Sequence, residues 1–185
     1  MRFSYNYNNS SVKTPVPFNR GVEYPKENET MSSVWFYDSP IGPIGIAEER
    51  GAISHVVFRR DEAIAGFEIT QTPLTQKAAI QLAEYFDGKR TEFDLPLSLH
   101  GTDFQVSVWK ALQTIPFGET RSYNDVAVMI GNPKACRAVG MANNRNPISI
   151  IVPCHRVIGQ NGSLVGYGGG LPAKQYLLDL EKRHI

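Results

Sequence analysis

Residues 122–144 read SYNDVAVMIGNPKACRAVGMANN, and this stretch decides the fold of the second part of the chain. Ser122 is a favourable N-cap for a short helix with an apolar face, and Gly131 ends that helix. The Asn-Pro pair that follows opens a second helix, predicted from Lys134 to about Asn143. Two short helices joined by a tight turn indicate a helix-turn-helix, although an ordinary helical hairpin has the same pattern.

The second of these helices carries mostly small residues and one long cation, Arg137. A face of small residues can approach a DNA groove closely, and a long side chain on it can fill the space that an extruded base leaves. The small residues are Ala135, Ala138, Gly140 and Ala142. The alternative is that they let the helix pack tightly inside the protein, with Arg137 as a solvated surface charge.

On the C-terminal side, residues 148–159 read ISIIVPCHRVIG. The pattern predicts an apolar strand directly before Pro153, whose rigid backbone would present Cys154 at a fixed point. A neighbouring imidazole or cation lowers the pKa of a thiol, and His155 and Arg156 follow directly. Cys154 is therefore a candidate nucleophile, although a buried structural cysteine fits a lone Cys-His pair equally well.

On the N-terminal side, Thr102 and Gln105 form a capping-box pattern, so a helical domain is predicted for residues 101–185. Residues 33–100 contain three strand-like runs, predicted as an antiparallel meander with a turn at Arg50-Gly51, and then an amphipathic helix that stops at Gly88. We interpret this domain as mainly structural. Residues 1–32 are rich in Asn, Ser, Pro and Glu and are predicted to be irregular or disordered, and Met31 is a possible alternative start.

The composition narrows the class of protein. The chain of 185 residues has net charge +1, but residues 1–100 hold 10 basic and 13 acidic side chains, whereas residues 101–185 hold 9 and 5. The second part is thus net +4 against −3 for the first, which is compatible with an anionic partner there. Two cysteines and four scattered histidines predict neither a disulfide framework nor a metal site, and we expect a cytoplasmic protein without membrane contact.

Six motifs follow one another in the second part: SYNDVA, GNPKACRAVG, NRNP, IVPCHRVIG, GYGGG and LLDLE. Together they resemble the alkylguanine-DNA alkyltransferase family over essentially all of residues 101–185, with a weaker likeness back to about Ser33. The resemblance implies an α+β fold, in which an antiparallel sheet with a helix precedes a helix-turn-helix domain that carries the reactive loop. It also implies repair of alkylated guanine in double-stranded DNA, with O4-alkylated thymine as a further substrate. The protein would act as a monomer and without a cofactor.

The resemblance also assigns roles to individual residues. Cys154 would accept the alkyl group from O6 of a flipped-out guanine in one in-line displacement. His155 would take the thiol proton through a water, and Glu181 would orient the imidazole. Tyr123 would contact the flipped nucleotide and supply a proton toward the purine, and Asn146 would hold the turn between recognition helix and reactive loop.

DNA contacts and a substrate pocket follow from the same resemblance. Arg137 would replace the extruded base, and the rest of the DNA face would comprise Ala135, Cys136, Gly140 and Tyr123. The pocket would be formed by the backbone of Val157, by Tyr167 and Gly168 of the closing loop, and by Ser149.

Three positions depart from the family pattern. Ser149 stands where some members have a second proline, which makes the pocket wall less apolar. Gly168 stands where others have serine, so a hydroxyl contact is lost although the backbone N–H remains. Cys136 stands where alanine is common, and we interpret it as a small filler residue rather than a second acceptor.

Two other classes of protein compete with this interpretation. A DNA-binding regulator would use the helix-turn-helix without chemistry, but a sequence-specific reader is expected to carry several long polar side chains on its recognition helix. A Cys-His hydrolase usually has its histidine distant in sequence from the cysteine, and it needs an oxyanion pocket that the sequence does not indicate.

Overall fold

A computed structural model describes residues 32–58 and 64–185, so the predictions for residues 1–31, including the alternative start at Met31, lie outside the described residues. The first part is a four-stranded sheet of order β3-β2-β1-β4 with one helix. Its elements are β1 (Ser33–Tyr37), β2 (Ile44–Glu49), β3 (Ala52–Val57), β4 (Glu68–Ile69) and α1 (Pro73–Phe86).

The predicted meander of β1, β2 and β3 is confirmed, because both strand pairs are antiparallel. The turn between β2 and β3 has Arg50 at φ 51° and Gly51 at φ 76°, the left-handed pair that the right-handed twist of a two-residue hairpin requires. The sheet also contains β4, which runs parallel to β1 and was not predicted. At two exposed residues, β4 is too short to show any alternation of apolar and polar side chains.

The second part is mainly helical, as predicted. Its elements are α2 (Asp103–Leu112), β5 (Arg121–Ser122), α3 (Tyr123–Met129), α4 (Cys136–Asn144), β6 (Val157–Ile158) and α5 (Leu171–Arg183). Thr102 and Ser122 cap α2 and α3, each through a capping box. Gly131, at φ 71°, ends the first helix of the helix-turn-helix. In no described segment is a helix both long and apolar enough to cross a bilayer.

Two predictions for this part were wrong. α4 begins at Cys136 rather than at Lys134, because the preceding residues belong to the turn and Ala135 at the N-cap offers no capping oxygen. The strand predicted before Pro153 does not form. Residues 148–152 make only isolated bridges, and Ile151 N donates to Ser149 O at 2.9 Å around Ile150, whose φ is 71°.

The segment is a tight γ-turn that resembles a strand in sequence because its apolar side chains are buried on all sides. A β-branched residue at positive φ is strained, so the surrounding packing must hold Ile150 in place. The sheet supplies part of that hold: Val56 N of β3 donates to Pro147 O at 2.8 Å, and Ser149 N donates to Val56 O at 3.2 Å.

One hydrophobic core joins the two parts of the chain. The same buried cluster contains Ile46 and Ile53 of the sheet, Tyr85 of α1, Trp109 of α2 and Leu177 of α5. Residues 148–156, the predicted reactive segment, therefore lie between the two parts. The sheet contacts this segment on one side, and helices contact it on the other.

The hairpin turn gives a stability test that is remote from the reactive segment. Arg50→Asn should raise the free energy of unfolding by about 0.5 kcal/mol, because asparagine adopts left-handed backbone at lower cost than arginine. Urea denaturation measures the change, and Arg50→Lys is the control because it keeps the cost of the left-handed backbone. Equal stability of the Asn and Lys variants would contradict this account of the turn.

Candidate active site

Cys154 begins a single 3₁₀ turn, Cys154–Arg156, directly after Pro153 and the γ-turn. Its side chain is only 3% exposed, and the turn is closed by Arg156 N, which donates to Pro153 O at 3.0 Å. The helix-turn-helix contributes too, since Asn143 Nδ2 of α4 donates to Cys154 O at 3.3 Å. Cys154 is therefore held in place by its own turn and by α4.

Asn146 spans the turn that precedes Cys154. Its Nδ2 donates to Val152 O at 2.7 Å, and its Oδ1 accepts from Ile148 N at 3.1 Å. One side chain thus closes the segment at both ends, which is the geometry that the predicted holding role requires.

The thiol of Cys154 is a weak acid in this environment. Burial raises its pKa to about 11, although a hydrogen bond from Asn146, the charge of Lys174 and a hydrogen bond from Ser149 each lower it. We expected an adjacent imidazole to lower this pKa, and that expectation is wrong because burial outweighs the favourable contacts. With a pKa of about 11, roughly one molecule in ten thousand carries a thiolate at pH 7. A base beside the thiol is therefore needed.

His155 has the properties of that base. Its ring is fully buried, and its Nε2 lies 2.8 Å from Glu181 Oε1. Burial lowers the pKa of His155 more than Glu181 raises it, so the imidazole is neutral at pH 7. Because Glu181 is ionised, Nε2 carries the proton, and the basic lone pair lies on Nδ1. Nδ1 is buried and makes no hydrogen bond to any residue in ranges 32–58 and 64–185.

Glu181 lies at the centre of a buried network. Arg156 donates to it from Nε, 3.0 Å from Oε2, and from Nη2, 3.0 Å from Oε1. Gly118 N donates to Oε2 at 2.9 Å, and the hydroxyl of Tyr85 donates to Oε1 at 2.7 Å. Burial alone would raise the pKa of Glu181. The hydrogen bonds and charges of His155 and Arg156 outweigh that effect and lower the pKa to about 2.

Of the predicted pocket residues, Val157 contacts a buried ammonium group, that of Lys174. Lys174 Nζ donates to Val157 O at 2.6 Å and to Val165 O at 3.0 Å. Tyr167 is buried, and its hydroxyl has no partner in the described part of the chain. Ser149 is buried beside the thiol, whereas Gly168 is exposed. A cavity of about 400 Å³ opens between the two parts of the chain, and its lining includes Ser149 and Gly168 but not Val157, Tyr167 or Cys154. The lining residues are His55, Val56, Val57, Phe58, Asn144, Arg145, Asn146, Pro147, Ser149 and Gly168.

Tyr123 is half-buried at the first turn of α3. Its hydroxyl donates to Val165 O at 3.0 Å, the same carbonyl that Lys174 contacts, and burial raises its pKa. To donate to a bound base, this hydroxyl must first leave the carbonyl of Val165.

The residues predicted to face DNA divide into two groups. Arg137 and Cys136 are exposed on the first turn of α4, and Arg137 forms no ion pair with any described carboxylate. Cys136 is therefore not a packing filler, and that interpretation was wrong. Ala135 and Gly140 are half-buried, and a Cβ added at Gly140 would lie 3.7 Å from the Tyr123 ring. Gly140 thus faces Tyr123 of α3, where a methyl group would make an ordinary van der Waals contact.

Three buried polar residues of the network were not assigned roles from the sequence: Tyr85, Arg156 and Lys174. A signal for Lys174 exists, because Lys174 and Glu181 lie seven residues apart on the apolar stripe of α5, together with Leu177. Charges on the buried face of a helix indicate a site. Tyr85 gives no such signal, since tyrosine is common on a half-polar helix face.

Comparison with known proteins agrees with this geometry. Residues 103–183 match the family model for the DNA binding domain of 6-O-methylguanine DNA methyltransferase, and residues 35–99 match that for its ribonuclease-like domain. The chain belongs to this family. It is 52% identical over 157 residues to the methylated-DNA–protein-cysteine methyltransferase of Methanosarcina barkeri, covering 81% of this chain and 99% of that one.

Solved structures give the same assignment. The O6-methylguanine methyltransferase of Mycobacterium tuberculosis superposes with a TM-score of 0.78 at 48% identity, covering 84% of this chain and 95% of that chain. A structure of the Mycobacterium tuberculosis protein OGT in complex with DNA superposes with the same TM-score at 49% identity, covering 82% and 94%. The predicted family and α+β fold are confirmed.

The low pKa of Glu181 predicts a pH-dependent contribution to stability. A carboxyl group whose pKa falls from 4.5 to about 2 on folding stabilises the folded state by about 3 kcal/mol at neutral pH. That contribution is present above pH 4.5 and is lost as the pH falls through about 2. The difference in free energy of unfolding between wild type and Glu181→Gln should therefore shrink across this window, as measured by urea denaturation at several pH values.

Glu119→Gln is the control, because it removes an exposed carboxylate whose only ion pair within residues 32–58 and 64–185 is with Arg121. Its effect should stay below about 1 kcal/mol at every pH. A wild-type advantage over Glu181→Gln that does not change between pH 6 and pH 2 would contradict the assigned ionisation.

Proposed function

We propose that this protein repairs DNA by transferring a methyl group, or another alkyl group, from O6 of guanine to Cys154. The observation that carries the proposal is the arrangement of three buried groups: a thiol, a neutral imidazole with a free Nδ1, and an ionised carboxylate on the opposite ring nitrogen. Nucleophile, base and orienting group are what a thiol needs to react near neutral pH. Family membership supplies the substrate class.

The step balances with one proton transfer and one displacement. The thiol proton of Cys154 moves through a water to Nδ1 of His155, and the sulfur attacks the alkyl carbon as the bond from carbon to guanine O6 breaks. Glu181 stabilises the imidazolium that forms. Tyr123 supplies a proton toward the purine, so that guanine leaves as a neutral base, and the proton on His155 restores the tyrosine. The net products are an S-alkyl cysteine and unmodified guanine.

Access to the alkyl carbon requires the base to leave the duplex, because Cys154 is 3% exposed behind the helix-turn-helix. We assign α4 to the groove and Arg137 to the vacated position in the base stack, since Arg137 is the exposed, unpaired cation of that helix. Val157, Tyr167, Gly168 and Ser149 are assigned to the pocket that receives the base.

The proposal extends to three further properties. O4-alkylated thymine offers the same displacement at an oxygen of a flipped-out base and is assigned as a second substrate. A monomer is sufficient, because one chain supplies every group of the network. A reducing compartment such as the cytoplasm suits a protein whose two cysteines are both free thiols.

The decisive experiment is a count of turnovers. Product should rise to one equivalent of active protein and then stop, because a thioether has no carbonyl that water could attack and no good leaving group. Intact mass after reaction with an O6-methylguanine duplex should rise by one methyl group, on the peptide that contains Cys154. Product beyond one equivalent would contradict the self-alkylating mechanism.

Variants of the two cysteines provide the controls. Cys154→Ser and Cys154→Ala should retain lesion binding in a gel-shift assay but transfer nothing, since a hydroxyl is a far weaker nucleophile and alanine has none. Cys136→Ser removes the other free thiol, which is exposed, and should still reach one equivalent. Methylation that survives in Cys154→Ser would place the acceptor elsewhere.

The role of Arg137 can be tested separately. Arg137→Ala should slow transfer from duplex DNA by about 10- to 100-fold, because unstacking a base costs a few kcal/mol and the variant cannot fill the gap. Single-stranded substrate should suffer less, and free O6-methylguanine should react normally. Reactions quenched at a series of times, with saturating protein, measure the rate constants for the duplex, the single strand and the free base.

Lys134→Ala is the matched control, since Lys134 is also an exposed cation but lies in the turn before α4. It should weaken binding in a salt-dependent way and leave the rate of the bound complex unchanged. Equal losses by Arg137→Ala on all three substrates would show a folding defect instead of a role in base extrusion.

A further inference from the structure

Tyr85, in the first part of the chain, contacts the buried pair formed by His155 and Glu181. It lies on the buried face of α1 and is fully buried. Its ring is enclosed by the rings of Phe86, Phe93 and Phe117, with centroids 5.6, 5.7 and 6.0 Å away. These contacts fix the direction of its hydroxyl, which points to the pair formed by His155 and Glu181.

The hydroxyl makes two contacts in that pair. It donates to Glu181 Oε1 at 2.7 Å, and its oxygen lies 3.4 Å from His155 Nε2. Burial and the charge of Glu181 raise the pKa of Tyr85 far above its ordinary range, so the phenol keeps its proton. Because that proton goes to Glu181, the phenol oxygen can only accept from the N–H at Nε2.

We infer that Tyr85 is a positioning residue for alkyl transfer, and hence that the N-terminal part of the chain takes part in the chemistry. This inference rests on the proposed function. It replaces the prediction that this part is mainly structural. Tyr85 does not touch the alkyl group, and its effect passes through Glu181 and His155.

The geometry explains why the hydroxyl is needed in addition to Arg156. Arg156 donates to both oxygens of Glu181 and, by itself, would draw the carboxylate toward the guanidinium. Tyr85 and His155 both contact Oε1, and their bonds hold this oxygen in line with Nε2. The phenol oxygen is also a second acceptor for the Nε2 proton. Both effects keep the proton on Nε2 and leave Nδ1 as the basic nitrogen.

The test is Tyr85→Phe, which removes one oxygen and keeps the enclosed ring. At pH 7 its rate constant for reaction with free O6-methylguanine, and with the duplex, should fall about tenfold, the effect of one lost hydrogen bond to a charged group. The end point should remain one methyl group per active molecule. Since the end point counts folded molecules, the rate constant refers to those alone.

The pH dependence separates positioning from a structural role. As the pH rises toward the pKa of the Cys154 thiol, the thiol ionises without help, so the defect of Tyr85→Phe should narrow. ¹⁵N NMR of His155 should show less of the tautomer protonated at Nε2 in the variant. A tenfold loss that is the same from pH 6 to pH 10, or a wild-type rate at pH 7, would overturn the inference.

Tyr176→Phe is the matched control. Tyr176 lies on α5 with its ring centroid 6.4 Å from that of Phe86, and its hydroxyl has no hydrogen bond to the described residues. Its rate should equal that of the wild type. If the wild-type protein itself gained no methyl group on Cys154, the proposed function would fail. If the wild type reacts and Tyr85→Phe reacts equally fast, only the role of Tyr85 fails.

Discussion

A buried carboxylate is the constraint on which the rest of the structure depends. Glu181 is 1% exposed, and an unpaired charge in a protein interior is strongly destabilising. The donors that satisfy it come from three separate segments: Tyr85 of α1, Gly118 of the loop before β5, and His155 and Arg156 of the 3₁₀ turn. Glu181 itself lies on a fourth, α5. Satisfying one charge therefore brings both parts of the chain and the reactive turn together. The relative position of the two parts and the orientation of the catalytic imidazole have the same physical cause.

The sequence predicted what local chemistry determines. The caps at Thr102 and Ser122, the turn at Arg50-Gly51 and the helix end at Gly131 follow from short-range backbone preferences, and the structure has all of them. The predictions failed where distant contacts decide. Residues 148–152 have the composition of a strand, but pairing with Val56 and the bonds of Asn146 fold them into a turn. The roles of Tyr85 and Lys174 depend on packing between α1, α5 and the reactive loop, which no local pattern contains.

The raised pKa of Cys154 and the neutral His155 belong together. A thiol with a permanently low pKa would react with any electrophile that reaches it, whereas a buried thiol with a pKa of about 11 is unreactive until its proton is removed. A neutral base can accept that proton, and burial keeps His155 neutral. In the proposed mechanism, Glu181 then stabilises the charge that forms on the imidazole during transfer.

In the proposed mechanism, DNA binding and alkyl transfer are coupled because residues of the two sites lie close together along the chain. α4 carries Arg137 on its exposed face and, six residues later, Asn143 on its buried face, where the amide holds the carbonyl of Cys154. In the proposed docking, the same helix that places Arg137 in the base stack also holds the carbonyl of Cys154 in position. On the other side of the pocket, the carbonyl of Val165 accepts from both Tyr123 and Lys174. In the proposed mechanism Tyr123 turns to the bound base, and we expect Lys174 to keep its bond to that carbonyl, so that the loop stays anchored when the tyrosine becomes available for proton transfer.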